Sequence, residues 1–128
     1  RRPILANPAI HDAFVSYALA GIDLGVAIGR YVIMPDHIHL FVALGRERTL
    51  GAPIGGLKRR LGDVAVQSNH DLHRCRVWQD GFFDHVLRST ESYAEKWSYV
   101  RDNPARAGLV DRSEEWPFQG EIVILERS

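Results

Sequence analysis

Hydrophobic and polar positions along this chain change period several times, and each change marks an element. Asn7-Pro8 is a good helix opening, with Asn at the N-cap and Pro in the first turn. Ile10, Phe14, Tyr17 and Ala18 follow at helical spacing, which predicts a helix to about Ala20 with Gly21 at its end. Val26 to Met34 reads as a strand. Pro35-Asp36 makes a short turn, and His37 to Leu44 forms the second arm of a hairpin. Ile38, Leu40, Val42 and Leu44 alternate along that arm and read as its core face. His37 and His39 share the opposite face, because strand side chains alternate with period two. Thr49 can cap a second helix with Ile54, Leu57, Leu61 and Val64 as its stripe, although Gly51, Pro53, Gly55 and Gly56 weaken its first turns.

Beyond residue 68 the pattern loosens. Residues 69–84 offer only a short strand around Arg76–Trp78. A third helix starts at Ser89 or Thr90 and should end near Asn103, because Pro104 disfavours a helical residue before it. Gly108 suits a turn, and Glu121 to Leu125 reads as a last short strand. Helices alternating with strands in this order predict one α+β domain over residues 1–128, with helices packed on an antiparallel sheet. A ferredoxin-like plan would need one more strand before the first helix, and Arg1 to Leu5 is short for it.

Composition narrows the class only slightly. The chain has 128 residues, 45% hydrophobic and 25% charged, which suits a globular domain. No apolar run approaches the ~20 residues of a membrane span, and no signal-peptide pattern opens the chain, so the expected location is cytoplasmic. The single Cys75 cannot form a disulfide within the chain. Net charge is zero, but unevenly spread: residues 45–79 hold seven Lys/Arg against three Asp/Glu, and residues 111–128 hold two against five. A basic middle keeps a nucleic-acid partner open, beside the plainer reading of a solvated surface.

The chemistry concentrates in two places. His37-Ile38-His39 sets two imidazoles side by side, spaced to share a metal ion. On the third helix, Tyr93, Trp97 and Val100 define the apolar stripe. Tyr99 lies roughly 120° from the centre of that stripe at ~100° per residue, on a face with Ser92, Glu95, Lys96 and Asn103. Asn103 follows Tyr99 by one turn. A metal held by His37, His39 and the Asn103 side-chain oxygen, with open positions, would suit Mg²⁺ or Mn²⁺. Such an ion could polarise a phosphodiester while Tyr99 attacks phosphorus. A phenol is protonated at neutral pH and needs a nearby cation, Lys96 or the metal, to become a competent nucleophile. Plainer readings stand beside these. A His-x-His can be only a polar strand face, Tyr99 a surface residue, and Asn103 a helix end. His85 could be a ligand, a phosphate contact or a packed histidine, and His11, His70 and His73 read as surface residues.

Three ordered blocks carry a resemblance. Pro35-Asp-His-Ile-His-Leu-Phe41, Trp78-Gln-Asp-Gly-Phe-Phe-Asp-His-Val-Leu-Arg88 and Tyr99-Val-Arg-Asp-Asn-Pro-Ala-Arg-Ala-Gly-Leu-Val110 resemble the signature blocks of the REP-associated tyrosine transposases (RAYTs), which are single-tyrosine HUH transposases. The match runs from about Arg2 to Phe118. It implies a ferredoxin-like domain that cuts and joins single-stranded DNA near a hairpin. In that resemblance His37 and His39 match the metal-binding histidines, and Tyr99 matches the nucleophile, which forms a 5′-phosphotyrosine and releases a 3′-OH. Asn103 matches a further metal ligand. Lys58, Arg59, Arg60 and Arg88 are expected phosphate contacts by position and charge. Trp78 and Phe82 are expected to stack on bases, or else to be core. The chain departs from the family in showing no strand before its first helix and in its neutral net charge. The expected partner is single-stranded or hairpin DNA, bound by a monomer or homodimer. A non-catalytic binder of structured single-stranded DNA is the main rival, and a metal hydrolase unrelated to DNA is the other.

Overall fold

The computed structural model describes residues 5–44, 51–68, 85–88 and 93–125. Helix α1 (Pro8–Ile22) begins as predicted: Asn7 is its N-cap, and the Asn7 Oδ1 accepts from the Ile10 N–H at 2.9 Å. The helix runs past Ala20 to Ile22, and the left-handed residue that turns the chain is Gly25, at φ 81°, rather than Gly21. Strands β1 (Val26–Ile33) and β2 (Ile38–Leu44) form the expected antiparallel hairpin around Pro35-Asp36. A bulge interrupts β1 between Ile28 and Tyr31, which keeps Ile28 and Tyr31 on one face despite their odd spacing.

Helix α2 (Gly51–Ser68) forms despite its glycines. Gly56 has a specific use, since a Cβ there would collide with the Tyr17 hydroxyl. The same hydroxyl donates to the Pro53 carbonyl at 2.9 Å, so α1 and α2 approach closely at this point. Strand β3 (His85–Arg88), which the pattern did not predict, lies parallel to β2 with His39 in register with His85. Helix α3 (Tyr93–Arg101) is followed after one residue by the short α4 (Asn103–Arg106). A single helix to Asn103 was expected; it breaks at Asp102 because Pro104 has no N–H to give the Val100 carbonyl. Gly108 takes φ 76° in the turn that follows.

The predicted last strand is displaced. Strand β4 (Gln119–Glu121) pairs antiparallel with β1, and Ile122 and Val123 add single hydrogen bonds to Gly29 and Ile28 around the bulge. The sheet order is β3-β2-β1-β4. The α+β arrangement is the expected one, with β2, β1 and β4 antiparallel and β3 added in parallel. Element order α1-β1-β2-α2-β3 follows the ferredoxin-like sequence of elements from its first helix onward; residues 1–4, in the segment where a leading strand was sought, lie outside the described residues. So do the expected Thr49 cap, the strand at Arg76–Trp78 and the helix start at Ser89 or Thr90.

Two layers cover the sheet. On one face Ile28, Tyr31, Ile33, Ile38, Leu40 and Val42 pack with Phe14, Ile10, Leu57 and Leu61 from α1 and α2. On the other, Val32 and Met34 meet Val100 and Trp116, and Phe41 meets Leu125 and Trp97. The Trp116 Nε1–H donates to the Ile33 carbonyl at 3.0 Å, tying the C-terminal segment to β1. His11, expected at the surface, is half-buried instead. Its Nε2 lies 2.7 Å from the Tyr31 hydroxyl, and its ring meets Phe118 edge-on. Burial raises the Tyr31 phenol from 10.0 to about 12 and pushes the His11 imidazole below its ordinary value, which nearby Asp12 only partly offsets. Among the described residues no helix is long and apolar enough to cross a membrane.

Candidate active site

The β1–β2 turn delivers the histidine pair. Period-two alternation sends Ile38 and Leu40 under the helices and leaves His39 facing the α3 side of the sheet, where it is only 5% exposed. His37 stands just before the strand. Its Nδ1 lies 2.7 Å from the carboxylate Oδ1 of Asp36, and its Nε2 lies 3.0 Å from His39 Nε2. The rings meet edge-on, with centroids 4.8 Å apart and planes at 80°. Asp36 therefore takes the Nδ1–H of His37 and directs its other nitrogen at His39, as carboxylates do behind metal-binding histidines.

The third side chain arrives from the break between α3 and α4. The Asn103 Nδ2 lies 2.8 Å from His39 Nε2, and its Oδ1 accepts from the Arg106 guanidinium. The break itself is fixed: Ser113 Oγ donates to Asp102 Oδ1 at 3.2 Å, and Pro104 is buried. Arg106 also lies over the Tyr99 ring, 4.1 Å from its centroid. Tyr99 is 67% exposed, so its phenol is open to a large ligand. A continuous chain of contacts thus runs Asp36–His37–His39–Asn103–Arg106–Tyr99.

These contacts bear on metal binding. If Asp36 holds the His37 Nδ1–H, the His37 and His39 Nε2 lone pairs meet across 3.0 Å, which only a proton or a cation between them relieves. A separation of 3.0 Å also matches the edge of an octahedron with bonds of about 2.1 Å. Asn103 presents its nitrogen to His39; a half-turn of the carboxamide presents the oxygen and gives up the Arg106 bond. Two imidazoles and an amide oxygen are a donor set that a divalent cation such as Mg²⁺ or Mn²⁺ could take, with water completing its shell. Among the described residues no group of three His, Cys, Asp or Glu side chains could hold a metal, so the set depends on Asn103.

Of the residues singled out in the sequence, His37, His39 and Asn103 come together, and Tyr99 joins them through Arg106. Lys58, Arg59 and Arg60 do not. They lie on α2, whose Leu57 and Leu61 pack on the opposite face of the sheet from His39. Arg88 closes β3, in register with Val42. Trp78 and Phe82 lie outside the described residues. Trp97, read as core, packs on Phe41 at 6.2 Å between centroids while its ring also carries the Arg30 guanidinium, 4.9 Å away. Sequence reasoning missed Asp36 and Arg106. Asp36 adjoins the histidine pair, and Arg106 continues the Tyr99–Asn103 stripe at the seventh position, a spacing that a helical face would have exposed.

Comparison with known proteins finds relatives with one shared name. The chain is 28% identical over 96 residues to the REP-associated tyrosine transposase of Escherichia coli, covering 75% of this chain and 54% of the relative. It is 31% identical over 94 residues to a Haemophilus influenzae protein given that name provisionally, covering 67% of this chain and 53% of the relative. The chain therefore spans about half the length of the curated relatives it matches. No family model matches the chain, and no solved structure matches it.

Proposed function

These relatives support a RAYT-like assignment, and from that premise we propose that the chain cleaves and rejoins single-stranded DNA at hairpin-containing repeats, with Tyr99 as nucleophile and a divalent metal at His37, His39 and Asn103. The observation that carries this reading is that His39 Nε2 meets both His37 Nε2, at 3.0 Å, and the Asn103 carboxamide, at 2.8 Å, and that Arg106 links Asn103 to an exposed tyrosine.

In this mechanism Asp36 holds His37 in the tautomer that leaves Nε2 free to bind. Tyr99 attacks the scissile phosphorus. A bond forms between its phenolic oxygen and phosphorus as the bond from phosphorus to the 3′ oxygen breaks; the phenol proton passes to solvent, to which Tyr99 is exposed, and the departing 3′ oxygen takes a proton from solvent. The products are a 5′-phosphotyrosine and a free 3′-OH, and attack by a 3′-OH on the phosphotyrosine reverses the step and joins strands. Mg²⁺ or Mn²⁺, when bound, supplies charge that polarises the phosphate and offsets the charge developing on it. The partner is DNA with an unpaired segment beside a hairpin.

The test is a denaturing-gel assay with labelled hairpin oligonucleotides and Mn²⁺ or Mg²⁺. Wild type is expected to form a covalent adduct that Tyr99→Phe does not form. His37→Ala and His39→Ala are each expected to abolish cleavage while DNA binding largely survives, because phosphate contacts supply most of the affinity. Cleavage by Tyr99→Phe would instead indicate a water nucleophile, and folded protein that binds DNA without any adduct would indicate a non-catalytic binder.

A further inference from the structure

Arg106 makes two contacts with the candidate catalytic machinery. Its guanidinium lies 4.1 Å from the Tyr99 ring centroid and donates to the Asn103 carboxamide. Tyr99, Asn103 and Arg106 fall at i, i+4 and i+7. The break at Asp102 preserves this stripe because α4 restarts at once, with Arg106 N–H bonded to the Asp102 carbonyl at 2.9 Å.

Stability does not account for these contacts. Arg106 and Tyr99 are both exposed, and an exposed cation–ring contact adds little to stability. The exposure of Tyr99 matters in a different way. An exposed phenol rotates among rotamers unless something fixes its ring, and misplacing a reacting group by about 1 Å can cost on the order of 100-fold in rate. Arg106 supplies a planar surface for the ring, 4.1 Å from its centroid.

We infer that Arg106 is a positioning residue that holds the Tyr99 ring for attack. The inference rests on the tyrosine-nucleophile reading above. The stack on the ring does not depend on which amide atom of Asn103 faces the imidazoles. Lysine carries the same charge but has no plane to stack and no fork to reach both partners, so it should not substitute.

The experiment compares wild type, Arg106→Ala and Arg106→Lys in three readouts. At saturating hairpin DNA, the rate of adduct formation is expected to fall about 10–100-fold in both variants. The DNA concentration at half-saturation should change less than about twofold, since one phosphate contact at most is altered. In protein carrying ¹³C-labelled tyrosine, the Tyr99 ring resonance, identified by its absence in Tyr99→Phe, should shift in both variants while those of Tyr17 and Tyr31 stay in place. Full rescue by lysine would overturn the inference in favour of a simple charge effect. A loss confined to DNA affinity would overturn it in favour of a phosphate contact, and an unmoved Tyr99 resonance would also overturn it. If wild type forms no adduct but the resonance still shifts, the tyrosine chemistry fails while the Arg106–Tyr99 contact stands.

Discussion

The two faces of β2 differ in what they are built to do. Toward α1 and α2, Ile38, Leu40 and Val42 are closed off completely in an apolar layer that includes Phe14, Leu57 and Leu61. Toward α3, the same strand presents His39 and then Phe41, so this face is apolar at one end and polar at the end nearest the turn. The first face supplies stability through burial. The second also buries its strand residues, but it places a polar ring, His39, in contact with His37 and Asn103. On the proposed function, stability and chemistry are carried by alternate residues of one strand, and substitutions at adjacent positions should separate them.

The sharpest test sets Leu40→Ala against His39→Ala. Leu40→Ala should lower unfolding stability by about 2–5 kcal/mol, measured by denaturant titration, because it opens a cavity in the closed layer. His39→Ala should cost less than half as much while abolishing adduct formation. Equal losses would mean that both faces serve the core. A second test uses pH. Burial holds the Tyr31 phenol at about 12 against 10.0 in the unfolded chain. Because the folded state keeps its proton longer, its contribution is fully present below pH 10 and is lost as pH rises toward 12. That loss should be on the order of 2 kcal/mol, read as the difference between wild type and Tyr31→Phe across that window, and a pH-independent difference would contradict it.

Smaller effects probe the α3 side. Trp116→Phe removes the donor to the Ile33 carbonyl and should cost about 1–3 kcal/mol in thermal or denaturant unfolding. Gly108→Ala places a side chain at φ 76° with open space around it, so backbone strain alone should cost about 1 kcal/mol. A larger loss at Gly108 than at Trp116 would mean that the turn, not the indole, ties this segment to the sheet.

Elements whose signal is local were legible in the sequence. Asn7-Pro8 announced α1, and alternation through 26–44 announced the hairpin and put His37 and His39 on the face away from the α1–α2 layer. Elements set by distant partners were not. His11 looked exposed because its partner, Tyr31, is 20 residues away. The C-terminal strand was placed two residues late because its pairing follows the bulge in β1 rather than its own apolar run. Four residues of β3 carry too little alternation to declare a strand. In the candidate site, helical spacing linked Tyr99 to Asn103, but joining them to the histidines required the tertiary contact between Asn103 and His39. The basic run Lys58-Arg59-Arg60 shows the limit of charge counting, since the stripe formed by Leu57 and Leu61 assigns its helix to the other layer.

The proposed chemistry stands or falls on covalent attachment of Tyr99 to DNA. The most direct measurement is to trap the reaction of the wild-type chain with hairpin DNA and Mn²⁺, digest both components, and locate the modified peptide by mass spectrometry. A 5′-phosphonucleotide is expected on the tyrosine of the peptide containing Tyr99, absent when a chelator is present. Modification of a different residue, or cleaved DNA with no modified peptide, would contradict it.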